Sequence, residues 1–318
     1  MIKNPFRSKK RYCFAFYNIE NLFDIYSDKL KHDSDFTENS EMRWTLKRYK
    51  NKIQKISYAI SQIGIAETLD LPAIVGLAEV ENKQVLNDLI QADALVQANY
   101  KYVHFDSKDE RGIDVALLYN SEKFEVIHAE VKAIVFEEAN GDVDYTRDIL
   151  HVYGKFMGEK IDVLVNHWPS KRSDNENGTK RLEVSNLVSE TIQNIRSKNE
   201  QAKIIILGDF NDDPSSESVK NLVNNNQLYN PMDTLLSIDR GTTVHRGEWN
   251  LFDQIILSIN CFERKKNSLT FDTANIFDPE FLKQQEGDYK GTPYRTYVGK
   301  SYKGGYSDHF PVYLILKK

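Results

Sequence analysis

Ile204-Ile205-Ile206-Leu207-Gly208-Asp209-Phe210-Asn211-Asp212-Asp213-Pro214 joins a continuous apolar run to an abrupt polar end. Four successive apolar residues without alternation predict a strand covered on both faces. Gly208 closes the run, and Asp209 and Asn211 are then delivered to its rim. Pro214 stops the segment, because the ring bars the preceding residue from helical geometry. An acidic loop cap would explain one carboxylate here. The string Gly208-Asp209-Phe210-Asn211 is more specific than that.

Similar short apolar runs lie at 12–17, 73–77, 115–119, 161–165, 254–257 and 312–316. An alternating stretch at 124–134 ends in an acidic, Gly-containing tip at 137–142, and 151–156 returns as its hairpin partner. Helical spacing is clear in Leu46, Tyr49, Ile53, Ile56, Ile60 and Ile63, which step by three and four. The other face of that helix carries Lys47, Arg48, Lys50, Lys52 and Lys55 and reads as solvated. A second helix is predicted from about 180 to 195. Strands and helices mix without strict alternation, and no repeat or linker intervenes. The fold class is α/β, with two packed mixed sheets and helices outside. The expected organisation is a basic extension at 1–11 and one domain at 12–318.

The 318 residues are 40% hydrophobic and 28% charged, which suits a globular chain with a large core. No apolar run approaches the roughly 20 residues needed to span a bilayer, so no stable membrane association is expected. The net charge of −5 weighs against tight non-specific binding of long duplexes. It does not weigh against an enzyme that binds metal through carboxylates. Cys13 and Cys261 are too few for a disulfide framework and read as buried thiols. The basic N-terminus is followed by no hydrophobic leader core, so the sequence predicts a cytoplasmic protein. No obligate protein partner is evident.

Polar residues recur at the ends of the predicted strands. Asn18 follows the run at 12–17, and Glu79 closes the run at 73–77, a costly place for an unpaired charge. Arg111 and Asp114 precede the run at 115–119. Asn166 and His167 leave the run at 161–165, followed by Lys171 and Arg172, which suit phosphate contacts. Asp253 precedes the run at 254–257. Ser307, Asp308 and His309 open the last strand after the flexible pair Gly304-Gly305. Each has an ordinary explanation alone, as a turn former, a satisfied core histidine or a surface charge.

In this order, Asn18, Glu79, Asn166-His167, Gly208-Asp209-Phe210-Asn211 and Ser307-Asp308-His309 resemble the endonuclease/exonuclease/phosphatase superfamily. The resemblance runs from Tyr17 to Leu316, and the forms at 18–24 and 166–170 look most like its bacterial nuclease-like branch. It implies a four-layered α/β/β/α sandwich with an active site at one end of the paired sheets. It also implies divalent-metal-dependent phosphodiester hydrolysis. Glu79 and Asp308 would hold Mg2+ or Mn2+ with help from Asn18, since hard oxygen donors favour those ions. Asp209 would orient or deprotonate water. Asn211 would donate to a phosphate oxygen and position Asp209. His309, held by Asp253, would bond the phosphate or transfer a proton. His167, oriented by Asp114, would stabilise developing charge or protonate the leaving group.

A nuclease is the first expectation, with nucleic acid as substrate. Arg111, Asn166, Lys171 and Arg172 are its expected contacts, and Lys180 and Arg181 further ones. The segment Tyr294-Arg295-Thr296-Tyr297, with Lys300, Tyr302 and Lys303, could add stacking and phosphate contacts or simply be a solvated surface loop packed through its tyrosines. A phosphatase or phosphodiesterase for a small molecule or lipid head group fits the same residues. A catalytically inactive binding module on the same scaffold is the reading from a different class.

Overall fold

A computed structural model describes residues 10–27, 31–137, 141, 143–170, 176–245 and 247–318, without the side chains of 176–177. The first half contains β1 (Arg11–Leu22), α1 (Leu46–Gln62), α2 (Ile65–Thr68), β2 (Ile74–Val80), α3 (Lys83–Ile90), β3 (Tyr100–His104), β4 (Asp114–Asn120) and β5 (Phe124–Lys132). There follow β6 (Val135–Glu137), β7 (Val143–Tyr145), β8 (Ile149–Phe156), β9 (Glu159–His167), α4 (Glu176–Lys198), β10 (Ile204–Asp209) and α5 (Glu217–Asn225). The remainder is β11 (Leu228–Tyr229), β12 (Thr243–His245), β13 (Glu248–Asn250), β14 (Asp253–Ser258), β15 (Thr270–Ile276), β16 (Tyr297–Val298), β17 (Ser301–Tyr302) and β18 (Val312–Lys317).

Two six-stranded sheets form, in the orders β15-β18-β1-β2-β4-β3 and β11-β14-β10-β9-β8-β5. Each is mixed: β1 runs parallel to β2 and β9 parallel to β10, while their other neighbours are antiparallel. The unbroken run at 204–207 follows from having a core on each side. Ile205 and Leu207 enter the core shared with β1, β2 and β4. Ile204 and Ile206 enter a second core with Val184, Val188 and Ile192 of α4 and Val219 and Leu222 of α5. On the far side, Ile53 and Ile56 of α1 and Leu86 and Leu89 of α3 cover the first sheet. The layers are therefore α/β/β/α. Gly76 lets the sheets close: a Cβ there would stand 3.0 Å from the Phe16 ring and 3.1 Å from Leu207.

The predicted strands are all present, and β5 pairs with β8 as the hairpin expected. A small ribbon, β6 with β7, fills the tip between them. The second helix is longer than its apolar spacing indicated. The basic residues at 1–9, and Lys171 and Arg172, lie outside the described residues. Both cysteines are buried and unpaired. No described helix is long and apolar enough to cross a membrane.

Lys47 and Lys50 on the basic face of α1 are exposed as expected, but Lys52 is not, and Arg48 and Lys55 are half-buried. Lys52 is 1% exposed and donates to Thr296 Oγ1 and to the Tyr306 carbonyl, both at 2.5 Å. Lys55 bonds to the Gly304 carbonyl, and the Arg48 guanidinium lies 4.3 Å from the centre of the Tyr302 ring. The helix thus serves as the platform for the 294–306 segment, its amphipathic cations covering tyrosine rings.

Gly305 also departs from its expected role as a flexible joint. A Cβ there would lie 2.0 Å from the Tyr294 carbonyl oxygen and 2.4 Å from that of Arg295. The residue is glycine because two backbone segments touch. Gly305→Ala should cost at least ~2 kcal/mol, since the obstacle is main chain and cannot rotate away. Urea unfolding checks this; an unchanged midpoint would refute it.

Candidate active site

The rims of the two sheets meet at one end, and two β-bulges aim their side chains. The register of β1 on β2 slips between Asn18 and Leu22, where Glu20 and Asn21 have φ of 47° and 49°. The register of β2 on β4 slips between Ala78 and Val80, where Glu79 has φ of 66°. Left-handed backbone is costly for side chains of this kind and persists where packing over-determines it. In the second sheet no bulge is needed. Asp209 stands opposite His167 on one side and Asp253 on the other, so three site residues share one rung.

Asn18 joins the two sheets. Its Nδ2 donates to Asp209 Oδ2 at 3.0 Å and approaches Glu79 Oε1 at 3.5 Å. Its Oδ1 accepts from the Glu20 N–H at 3.0 Å. The amide therefore turns nitrogen, not oxygen, toward the centre. Asn18 acts as a clamp on two carboxylates. Glu79 Oε2 accepts from the Asn21 N–H at 2.7 Å, and Arg111 Nη2 donates to Asn21 Oδ1 at 2.6 Å.

The two histidines differ sharply. His309 Nδ1 lies 2.7 Å from Asp253 Oδ2, and its Nε2 lies 3.9 Å from Asp209 Oδ2 and 4.0 Å from Asp308 Oδ1. Burial pulls its pKa down, but Asp253, Asp209 and Asp308 together hold it well above the ordinary histidine value. His167 Nε2 lies 3.6 Å from Asp209 Oδ2, and its Nδ1 has no hydrogen-bond partner among the described residues. Burial first, then Arg147, Arg111 and His309, push its pKa well below the ordinary value. The two imidazoles are thus pushed in opposite directions, His309 toward its protonated form and His167 toward its neutral form.

Asp209 is 1% exposed, and its Oδ1 accepts from the Asn211 N–H at 2.9 Å. Burial lifts its carboxyl to about 6, against the pull of His309. Asn211, at φ of 48°, donates its side-chain amide to the Trp168 carbonyl at 2.9 Å. Its backbone positions Asp209 as expected, while one of its two amide protons is already engaged.

Two expected residues stand elsewhere. Asn166 is fully buried, and its Oδ1 accepts from Trp168 Nε1 at 3.3 Å, so it supports the strand end. Asp114 does not orient His167. It accepts from the Ser107 N–H at 3.2 Å and stands 3.9 Å from His104 Nε2. Arg181 pairs with Asp212 at 2.7 Å and Lys180 with Asp144 at 2.7 Å, so both are committed to packing.

Sequence reasoning missed Arg147 and Glu20, and it named Arg295 only as part of a segment that could contact substrate. Arg147, from the β7–β8 turn, is buried, pairs with Asp109 at 3.2 Å and lines the site cavity. Arg295 donates to Asp308 Oδ2 at 2.9 Å and lies 3.8 Å from Glu20 Oε1. Glu20 accepts from the Thr296 N–H at 2.6 Å and lies 4.0 Å from Lys52. Burial pushes the Glu20 carboxyl up to about 7, with Asp308 adding and Lys52 opposing. Each depends on distant chain segments. Only the nearness of Glu20 to Asn18 was a local signal.

These groups open into a cavity of about 960 Å³. Its floor is Asn18, Glu79, His167, Asp209, Asp308 and His309, and Arg111 and Arg147 stand on one wall. Tyr289, Tyr294, Arg295, Val298, Lys303 and His245 also line the cavity. The tyrosine-rich segment packs on α1 and also lines the cavity. The oxygen-rich floor fits a hard divalent ion. Glu79 and Asp308 both reach the cavity, and the buried Asp253 Oδ1 has no partner among the described residues. Asp209, Asp253 and His309 come within 4.8 Å of one another, a spacing compatible with an ion, although the Asp253–His309 hydrogen bond already accounts for much of it.

Comparison with known proteins agrees with this arrangement. A family profile described as the endonuclease/exonuclease/phosphatase family matches residues 13–318. No curated protein sequence matches the chain. Among solved structures, an endonuclease/exonuclease/phosphatase family protein from Bacteroides thetaiotaomicron is similar at TM-score 0.60 and 18% identity, covering 98% of this chain and 96% of that one. A mannosyl-6-phosphatase of the same organism is similar at TM-score 0.57 and 18% identity, covering 96% and 99%. D. rerio TDP2, solved with a single-strand DNA product, is similar at TM-score 0.56 and 17% identity, covering 97% and 99%. At these identities the structures share the fold.

Proposed function

The chain belongs to the endonuclease/exonuclease/phosphatase family, whose enzymes hydrolyse phosphoester bonds, and we propose that it cleaves a phosphate ester presented end-on by a compact substrate. The carrying observation is the walled cavity of about 960 Å³, near the upper end of the size usual for small-molecule sites. A continuous duplex needs an open groove, and the acidic net charge does not favour one. The similarity to the mannosyl-6-phosphatase is consistent with a compact substrate.

In this reading Glu79 and Asp308 hold Mg2+ or Mn2+, which supplies charge neutralisation at the phosphate. Asp209, fixed by Asn18 and the Asn211 N–H, accepts a proton from the attacking water. The imidazolium of His309, held by Asp253, binds a phosphate oxygen. His167, kept neutral by burial and two arginines, donates a hydrogen bond without adding charge. Arg111 and Arg147 face the substrate from one wall. Chelation with EDTA should abolish turnover, and Mg2+ or Mn2+ should restore it.

The nuclease reading narrows to strand ends. Tyr289 and Tyr294 offer stacking faces, and Arg295 and Lys303 offer backbone contacts, which suits a terminal nucleotide. The similarity to TDP2 with a DNA product keeps this second. Sugar phosphates, nucleotides, end-labelled single strands and supercoiled plasmid, compared under one metal condition, separate the readings. Turnover of small esters or strand ends with little plasmid nicking is expected. Efficient internal nicking without small-ester hydrolysis would sink the proposal.

A further inference from the structure

We propose that His104, Asp106 and Asp114 form a second divalent-metal site, separate from the phosphoester centre, which pins the loop carrying Arg111. His104 ends β3, Asp114 begins β4, and these strands are antiparallel neighbours. Asp106 lies on the segment between them. One nitrogen of His104 and one oxygen of each carboxylate come within 4.8 Å of one another.

His104 is the feature that points to an ion. Its side chain is fully buried, and neither ring nitrogen has a hydrogen-bond partner among the described residues. Its Nε2 is directed at Asp114 Oδ2 across 3.9 Å, too far for a hydrogen bond. Donors that share a zinc-like ion each stand about 2.0–2.2 Å from it, and so up to about 4 Å apart. Asp114 accepts from Ser107, from its N–H at 3.2 and 3.3 Å to the two oxygens and from its side-chain hydroxyl. A buried imidazole with neither ring nitrogen bonded among the described residues, facing a buried carboxylate, is costly unless a cation completes the pair. Lys31 and Lys83 contribute positive field at His104, and Lys31 also acts on Asp114 from a distance. Asp106 is exposed, which gives an ion a path from solvent and a carboxylate able to turn onto it.

One imidazole with two carboxylates selects a transition ion such as Zn2+ over Mg2+. The consequence reaches the cavity through the same loop. Asp109 accepts from the Arg111 N–H at 3.0 Å and pairs with Arg147 at 3.2 Å, and Arg111 reaches Asn21 at 2.6 Å. An ion at the base of the loop would hold both arginines in place.

The test uses the full chain, stripped of metal and carrying Glu79→Gln and Asp308→Asn to weaken the phosphoester centre. Dialysis against micromolar Zn2+, with bound metal counted by elemental analysis, should show one retained equivalent and a raised melting temperature. His104→Ala should remove that equivalent. Asp106→Asn alters an exposed side chain and should lower its affinity at least tenfold with an unchanged circular-dichroism spectrum, so the test survives if His104→Ala misfolds. A zinc equivalent that persists at full affinity in Asp106→Asn, or no zinc bound before either change, overturns the proposal. Because the readout is metal content, either result leaves the phosphoester reading standing.

Discussion

Asp209→Asn is expected to lower kcat by at least ~100-fold, and His309→Ala by a similar factor, in line with the contribution of a positioned base or a charge-stabilising donor. Asparagine at 209 keeps the volume, and its single side-chain oxygen can still accept from the Asn211 N–H, while its Nδ2 replaces the oxygen that accepted from Asn18. The fold should stay intact, and the loss combines proton acceptance with the Asn18 hydrogen bond. The two residues act as a pair: Asp209 Oδ2 and His309 Nε2 are 3.9 Å apart, and each carries charge that favours the other. The double variant should lose little more than either single one, the non-additivity of groups that serve one transition state. Activity also gains a pH signature. Asp209 accepts a proton only when ionised, and burial sets its carboxyl near 6, so kcat/KM should fall as pH drops through about 6. His309 must stay protonated, and its raised pKa keeps it so through neutrality, placing its limb on the alkaline side. Both limbs describe the coupled pair. A single-turnover assay across pH 5–9 checks them; unchanged rates in either variant would remove Asp209 and His309 from the chemistry.

Lys52→Ala should destabilise the protein by about 3–5 kcal/mol, the usual cost of removing one partner from a buried charge network. The ammonium holds Thr296, the Tyr306 carbonyl and Glu20 together beneath the site. Without it Glu20 loses a buried counter-charge, Thr296 and Tyr306 lose a donor, and a void opens where the stem lay. A fall in melting temperature on the order of 10 °C follows. The double change with Glu20→Gln should cost less than the sum of the single changes, because the charge left unpaired is removed with it. A melting temperature within a degree of wild type would place Lys52 outside the network. The same change should weaken substrate binding, because Arg295 and Lys303 reach the cavity from the segment that Lys52 anchors.

These expectations rest unequally on sequence and on fold. The strands were legible because a strand between two cores must be apolar at every position, as at 204–207. The polar ends of those strands were legible for the same reason, since Glu79 and Asp209 interrupt apolar runs where an unpaired charge is costly. Together these two signals marked two packed sheets and most of the cavity floor, while the four layers and the metal-dependent phosphoester chemistry came from the resemblance of the ordered motifs to a family.

What sequence could not supply was partnership. Lys52 reads as one more cation on a basic helix face until the 294–306 segment packs over it. Arg147 and Arg295 lie in loops without periodicity, and only the meeting of distant strands brings them to the cavity. Asp114 and Asn166 stand beside site residues in sequence, yet their hydrogen bonds run to Ser107 and Trp168. The segment Gly208-Asp209-Phe210-Asn211 determined by itself that a carboxylate would reach a strand rim. Tertiary structure decided what that carboxylate meets: Asn18 from the other sheet, a His167 pushed toward its neutral form and a His309 pushed toward its protonated form. The reason is electrostatic. A side chain's type is written in the sequence, but its charge state and partners depend on burial and on groups that only folding brings within a few ångströms.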